Sequence, residues 1–142
     1  MLLHRGRLLD HVHLNARDLE ASKRFYKAVI EALGKDIAVV EGPGFFYADE
    51  LWVQAVTAGS QATRVHIAFQ AEDHDTVRRF HEAGVAAGGR DNGAPGPRNY
   101  HPGYFAAFLL DPDGNNVEAV YHGEGKRSAA SVEILATLPG ED

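Results

Sequence analysis

Hydrophobic and polar positions alternate along residues 9–16, the pattern of a β-strand with one buried face. The apolar side chains on one face are Val12, Leu14 and Ala16, and the polar ones on the other are His11, His13 and Asn15. From residue 19 the apolar positions recur at helical spacing, at Leu19, Phe25, Tyr26, Val29, Ile30 and Leu33. Asp18 suits the N-cap of this helix and Gly34 its end. Residues 9–34 therefore predict a strand followed by an amphipathic helix.

The same pattern returns 55 residues later. When residues 11–36 are moved forward by 55 positions, nine of 26 positions are identical, among them His11/His66 and Asp18/Asp73. The second strand alternates Val65, Ile67 and Phe69 with His66, Ala68 and Gln70, and Gly88-Gly89 ends the second helix. Because each copy begins with a histidine in an apolar run, the repeat can bring two histidines to one shared site, which indicates metal chemistry.

Strand-like runs follow each helix. They are residues 37–40, 44–47 and 51–57 in the first half, and 104–110 and 115–121 in the second, where Asp111-Pro112-Asp113-Gly114 predicts a tight turn. Matching Val, Ala and Val in the two final strands gives an offset of 64, which places Gln54 opposite Glu118. Nine further residues then fall within Gly88–Gly103, since 64 − 55 = 9.

The predicted fold class is α+β. Two tandem βαβββ modules, at about 8–58 and 63–122, form one domain over 8–122 with a curved mixed sheet and helices on its outer face. The open side of that sheet would be lined by His11, Gln54, His66 and Glu118. Residues 123–142 form a C-terminal extension in which 132–138 can be a short strand.

Composition removes several classes of function. The chain has 142 residues and a formal net charge of −6, which favours neither nucleic acid nor an anionic membrane surface as a partner. Its lack of cysteine excludes disulfides, thiolate ligands and a cysteine nucleophile. No apolar run is long enough for a membrane span, and the first residues do not resemble a signal peptide, so we expect a cytoplasmic protein.

Several motifs resemble the vicinal oxygen chelate superfamily, which includes glyoxalase I, fosfomycin-resistance thiol transferases, bleomycin-binding proteins and extradiol dioxygenases. The matching segments are Asp10–Leu14, Arg17–Ser22, Phe25-Tyr26, His66–Phe69 and Asp111–Glu118, within a resemblance that covers about residues 8–122. It implies that His11, His66 and Glu118 bind a divalent metal such as Fe, Mn, Zn, Ni or Co. It also implies a homodimer, sometimes with units paired across chains. Gln54 stands where glyoxalase I often has a second glutamate, and glutamine is a poor base and a weaker ligand.

Other side chains are candidates for the same site. His13 and Trp52 share strand faces with His11 and Gln54, so we expect His13, Trp52 and Gln54 to contact substrate. The loop 96–104 carries Arg98, Tyr100, His101 and Tyr104, which can bind an anionic oxygen and move a proton. We assign Arg98 and Tyr100 to substrate binding and His101, Tyr104 and Glu118 to catalysis. His74, His81 and His122 are expected on the surface.

Two functions compete. The first is a glyoxalase-like metalloenzyme whose small substrate chelates the metal through vicinal oxygens, with isomerase or lyase, dioxygenase or thiol-transferase chemistry all open. The second is a metal-free small-molecule binding protein of the bleomycin-resistance type. A bare binding groove gives His11, His66 and Glu118 no shared purpose, although each could also be a polar residue satisfied by hydrogen bonds.

Overall fold

The computed structural model describes residues 2–125 and 132–135. Ten strands and two helices lie in these ranges: β1 Leu2–Arg5, β2 Val12–Ala16, α1 Leu19–Ala32, β3 Val40–Gly42, β4 Phe45–Ala48, β5 Leu51–Ala55, β6 His66–Gln70, α2 His74–Ala86, β7 Arg90–Pro97, β8 Phe105–Leu110, β9 Asn116–Tyr121 and β10 Val132–Leu135. No helix among these residues is long and apolar enough to cross a membrane.

The two predicted βαβββ modules are confirmed. The first sheet has the strand order β2-β5-β4-β3 and the second has the order β6-β9-β8-β7. In each sheet the first and last strands of the module are parallel, and the other neighbours are antiparallel. Within the described residues no strand pairing joins the two four-stranded sheets, so each module of the chain forms its own mixed sheet.

Both helices begin where the sequence predicts. The Asp18 carboxylate accepts the Ala21 N–H at 3.0 Å, and the Asp73 carboxylate accepts the Thr76 N–H at 2.7 Å. Each cap satisfies a donor that would otherwise lack an intrahelical partner. The repeated Asp18/Asp73 pair therefore sets the start of α1 and α2 at equivalent points of the two modules.

One hydrophobic core unites the modules. Helix α1 buries Phe25 and Val29, and α2 buries Phe80, all with no exposed surface. The helices pack closely at Gly84, where an added Cβ would overlap Leu109 Cδ1 and lie 3.0 Å from Val29 Cγ1. Because α2 contacts both α1 and β8 through this point, the helical sides of both modules share a single interior.

The turn after β8 is a polar link between the modules. The buried Asp111 carboxylate accepts the Tyr26 hydroxyl at 2.6 Å and the backbone N–H groups of Asp113 and Asn115. The next acidic residue, Asp113, accepts the Arg17 N–H at 3.1 Å. The Asp-Pro-Asp-Gly turn that the sequence predicts thus also fastens α1 and the end of β2 to the second module.

Several strand boundaries differ from the predictions. The first strand of the repeat begins at Val12 instead of residue 9, and the run predicted at 37–40 is a strand only from Val40. The glycine- and proline-rich stretch contains β7, whose pairing with β8 shifts register twice, between Asp91 and Gly93 and between Gly93 and Gly96, and each shift takes up one additional residue of β7. A predicted strand at 132–138 corresponds to β10, which pairs antiparallel with β1, while residues 136–138 lie outside the described ranges.

Candidate functional site

A buried carboxylate marks the outward face of the second sheet. Glu118 in the middle of β9 is 2% exposed, although it lies on the face opposite the shared core. His66 at the start of β6 places its Nε2 2.8 Å from Glu118 Oε1, and its side chain is 52% exposed. A buried carboxyl group needs hydrogen-bonding or ionic partners. The parallel pairing of β6 with β9 supplies one at an accessible position.

Tyr104 satisfies the second oxygen of the same carboxylate. Its hydroxyl donates a hydrogen bond to Glu118 Oε2. Desolvation, followed by the hydrogen bond to Glu118, raises the pKa of the Tyr104 hydroxyl to about 12. Tyr104 is therefore protonated at neutral pH and acts as a donor beside Glu118.

His101 and His122 form an imidazole pair at the edge of this face. His101 Nδ1 donates to the Pro102 carbonyl, so a neutral His101 presents a bare Nε2. That atom lies 2.8 Å from His122 Nδ1, which donates to it in this tautomer. Both rings lie edge-on to Tyr104, with centroid distances of 5.4 and 5.1 Å. His122 is exposed, as the sequence predicts, and it also belongs to the surroundings of Tyr104.

Arg98 is engaged by its own loop. Its guanidinium donates to the carbonyls of Gly96, Pro97 and Ala94 at 2.8–3.1 Å and stacks over Phe108. Three of its donors are therefore used to shape the loop, which leaves fewer for an anionic substrate. Tyr100 is 72% exposed and contacts Tyr104 edge-on. A cavity of about 520 Å³ lies beside this loop and is lined by Arg98, His101 and Tyr104.

His11 lies on the first module, one residue before β2. Its Nδ1 donates to the Asp10 carboxylate at 2.8 Å, and the Arg5 Nε lies 3.3 Å from the same oxygen. The hydrogen bond from His11, with help from the charge of Arg5, lowers the pKa of Asp10. The carboxylate thus holds the His11 ring by Nδ1, which leaves Nε2 as the atom available for a ligand.

The outward face of the first sheet is aromatic. The Trp52 ring stacks on Phe45 at 4.4 Å and on Tyr47 at 5.7 Å, with interplanar angles of 14° and 3°. Its Nε1–H donates to Gln54 Oε1 at 3.1 Å. These four side chains line a cavity of about 710 Å³, whose rim includes His11 and His13. Phe45 and Tyr47 were not among the predicted site residues, although their alternation along β4 places them on the face of Trp52.

Strand register changes one predicted correspondence. Val12 pairs with Leu51 in the first sheet, and the equivalent Ile67 pairs with Val117 in the second. The offset between the final strands is therefore 66 (117 − 51), not the 64 that the Val-Ala-Val match indicates. Trp52, and not Gln54, occupies the position in the first module that Glu118 occupies in the second.

The chain brings two of the three predicted metal ligands together. His66 and Glu118 are in contact, whereas His11 is held by Asp10 at the first-module cavity. In the described parts of the chain no three His, Cys, Asp or Glu side chains are grouped so that they could hold one metal ion. The other predicted residues divide in the same way, with His13, Trp52 and Gln54 on the first module and Arg98, Tyr100, His101 and Tyr104 on the second.

Comparison with known proteins gives a consistent result. The sequence profile of the glyoxalase/bleomycin resistance protein/dioxygenase superfamily matches residues 8–119. A glyoxalase/bleomycin resistance protein from Albidiferax ferrireducens is 32% identical, with a TM-score of 0.69 over 80% of this chain and 98% of its own. A family enzyme from Burkholderia phytofirmans is 21% identical, with a TM-score of 0.60 over 78% of this chain and 95% of its own.

Glyoxalase I from Zea mays, in a variant form, shares the fold at 23% identity and a TM-score of 0.57. The match covers 79% of this chain but only 45% of the maize protein. No curated protein is similar enough in sequence to count as a match.

Proposed function

Because the chain belongs to the glyoxalase/bleomycin resistance protein/dioxygenase superfamily, we propose that it is a metal-dependent enzyme whose small substrate presents two neighbouring oxygens to a divalent ion. The contact between His66 Nε2 and Glu118 Oε1 at 2.8 Å carries this proposal. It joins an exposed imidazole to a carboxylate that is almost wholly buried on a face with no other structural need for a charge.

These residues have the chemistry of a metal site. Imidazole nitrogen and carboxylate oxygen together suit Fe(II), Mn(II), Co(II), Ni(II) and Zn(II). A divalent cation could take the place of the proton that His66 and Glu118 share. The imidazole nitrogen and the carboxylate oxygen would then both bind the ion. A bound ion would polarise vicinal oxygens of the substrate and stabilise negative charge that develops on them.

The third proposed ligand, His11, comes from a second copy of the chain. The outward faces of the two sheets in one chain carry His11 and the His66–Glu118 pair separately, and the helices fill the space between the modules. A homodimer in which the first-module face of one protomer meets the second-module face of its partner would complete two identical sites. Symmetric pairing of this kind is the commonest form of oligomer.

Tyr104 and His101 serve the proton steps in this proposal. The Tyr104 hydroxyl holds its proton at Glu118 Oε2, within reach of a substrate oxygen placed at the carboxylate. His101 contacts the Tyr104 ring and hydrogen-bonds to His122, so it can exchange protons with solvent through an exposed neighbour. Isomerase or lyase and dioxygenase chemistry both fit this arrangement.

Metal analysis of protein purified without an affinity tag tests the proposal. We expect about one divalent ion per chain and a large loss of metal in Glu118→Gln, which keeps the shape of the side chain but weakens it as a ligand. His81→Ala is the control, because His81 Nε2 lies 2.9 Å from an oxygen of Asp91 in a similar pair whose carboxylate is exposed instead of buried. Equal metal content in the wild type and Glu118→Gln would refute the metal site.

The alternative function is a metal-free protein that binds or sequesters a small molecule. The aromatic cavity of the first module favours it, since stacked rings can hold a ligand without an ion. Ligand binding that is unchanged by chelator treatment, in protein that contains no metal as purified, would favour this function over the enzyme.

A further inference from the structure

We propose that the first-module cavity binds a planar aromatic ring of neutral or positive charge, selected by Phe45, Tyr47 and Trp52. The inference rests on the proposed function only in placing a ligand at the outward faces of the sheets. Membership of a superfamily with many chemistries does not identify a ligand. The three rings indicate a class of ligand for this chain.

The first observation is the parallel alignment of three half-buried rings. Trp52 lies within stacking distance of both Phe45 and Tyr47, and neither interplanar angle exceeds 14°. All three rings line the cavity of about 710 Å³, which is in the range of small-molecule sites. A planar aromatic ligand can extend such a row and gain both apolar burial and offset stacking.

The second observation is a backbone adapted to one of the rings. Gly42 on β3 pairs with Phe45 on β4, and an added Cβ at Gly42 would overlap the Phe45 ring. The φ angle of Gly42 is not in the left-handed region, so the backbone conformation does not require glycine there. Because Gly42 has no side chain, it leaves room for the Phe45 ring, which lies against β3.

The third observation is the charge around the cavity. Its charged lining consists of Arg5, Glu41, Asp49 and Glu50, for a net charge of −2 (1 − 3). This sign opposes anionic ligands and favours cations, which also interact well with tryptophan and tyrosine faces. The Trp52 N–H donates a hydrogen bond to the Gln54 side-chain oxygen, so the Gln54 amide nitrogen is left as a donor to a ligand.

Strand register places an aromatic ring and the carboxylate at equivalent positions of the two modules. Trp52 stands in the first module where Glu118 stands in the second, so the repeat has kept the position and changed its chemistry. In the proposed dimer the aromatic row of one protomer would face the His66–Glu118 pair of its partner. A ligand bound on the row would then present its oxygens to the proposed metal site.

Fluorescence titration tests this proposal directly, because Trp52 is the single tryptophan of the chain. Three bicyclic probes differ mainly in charge: N-methylquinolinium, 2-naphthol and naphthalene-2-sulfonate. We expect the quinolinium and 2-naphthol both to quench Trp52 and to bind more tightly than the sulfonate, the quinolinium by at least about tenfold, a difference equivalent to about 1.4 kcal/mol. The preference should weaken as salt screens the rim.

Variants identify the surface that binds. Calorimetry should show quinolinium affinity lowered about tenfold in Trp52→Leu and Gly42→Ala, largely retained in Trp52→Phe, and unchanged in the control Val85→Ala, at an exposed position on α2 away from the cavity. Circular dichroism checks that each variant is folded. Equal affinities for the quinolinium and the sulfonate, or unchanged binding in folded Trp52→Leu, would overturn the proposal.

The same probes separate this inference from the proposed enzyme. Glu118→Gln should lose metal yet keep quinolinium binding through Trp52, because the quinolinium has no oxygen to present to the proposed metal site. If the wild type contains no metal but binds the quinolinium through Trp52, the metal site fails and the aromatic site stands. If it contains metal and does not discriminate among the probes, the aromatic site fails and the metal site stands.

Discussion

Two buried acidic side chains show how surroundings decide the role of a residue. Asp111 receives four hydrogen bonds, from the Tyr26 hydroxyl, two backbone N–H groups and the Asn115 amide, and all of these donors are fixed parts of the fold. Glu118 receives its hydrogen bonds from His66 and Tyr104, and the His66 side chain is half exposed. The first carboxylate is satisfied by the structure itself, whereas the second has a partner that a ligand can displace.

Tyr26→Phe should destabilise the protein through Asp111. The variant removes the donor to a buried carboxylate, and we expect the free energy of unfolding in urea to fall by about 1.5–3 kcal/mol. Tyr100→Phe, at a ring that is 72% exposed, should leave it unchanged. A loss no larger in Tyr26→Phe than in this control would contradict the role assigned to the hydrogen bond.

The pH dependence of the same variant has a definite sign. Burial, followed by the charge of Asp111, raises the pKa of Tyr26 well above 10. Above pH 10 the unfolded chain releases a proton that the folded chain retains, so this contribution to stability is present below pH 10 and is lost as the pH rises beyond it. The stability of Tyr26→Phe should therefore decline less steeply than that of the wild type between about pH 10 and 11.5.

At the scale of elements, the sequence predicts what local patterns control. The Asp18 and Asp73 caps, the apolar stripe of α1 and the turn at 111–114 are all present, because each depends on residues close together in the chain. The register of β5 against β2 depends on tertiary pairing. A shift of two residues keeps every side chain on its face, so alternation alone could not distinguish Gln54 from Trp52 as the counterpart of Glu118. The β1–β10 pair joins distant parts of the chain, and no local sequence pattern predicts this pairing.

The crossing of α1 and α2 depends on the small residue at Gly84. Gly84→Ala improves helix propensity by up to about 1 kcal/mol, yet its Cβ would overlap Leu109 and approach Val29. Overpacking costs about 1–3 kcal/mol, so we expect a net loss of stability in urea unfolding. The difference between Glu82→Ala and Glu82→Gly, at an exposed position inside α2, measures propensity alone. A stabilised Gly84→Ala would show that the helices can separate at little cost.

At the scale of the molecule, the described residues form one interior, and the two four-stranded sheets have outward faces of different chemistry. The shared core fixes the modules back to back through their helices, so the aromatic face and the carboxylate face lie on different sheets. The repeat in the sequence anticipates both modules and their histidines. It does not contain the arrangement of two modules in space, and for that reason the expected meeting of His11 with His66 and Glu118 in one chain is not observed in the described residues.

Subunit mixing tests whether the proposed site forms between chains. His11→Ala and Glu118→Gln each remove one proposed ligand, so each homodimer should bind little metal. In a mixed dimer with cross-chain sites, one site lacks both ligands, and the other combines His11 of one protomer with Glu118 of its partner. Equimolar co-refolding should therefore restore metal to about a quarter of the wild-type level, since about half of the dimers are mixed and each has one of two sites intact. Sites within single chains would remain defective in every combination, so metal that stays at the level of the separate variants, in dimers shown to be mixed by mass, would exclude the cross-chain arrangement.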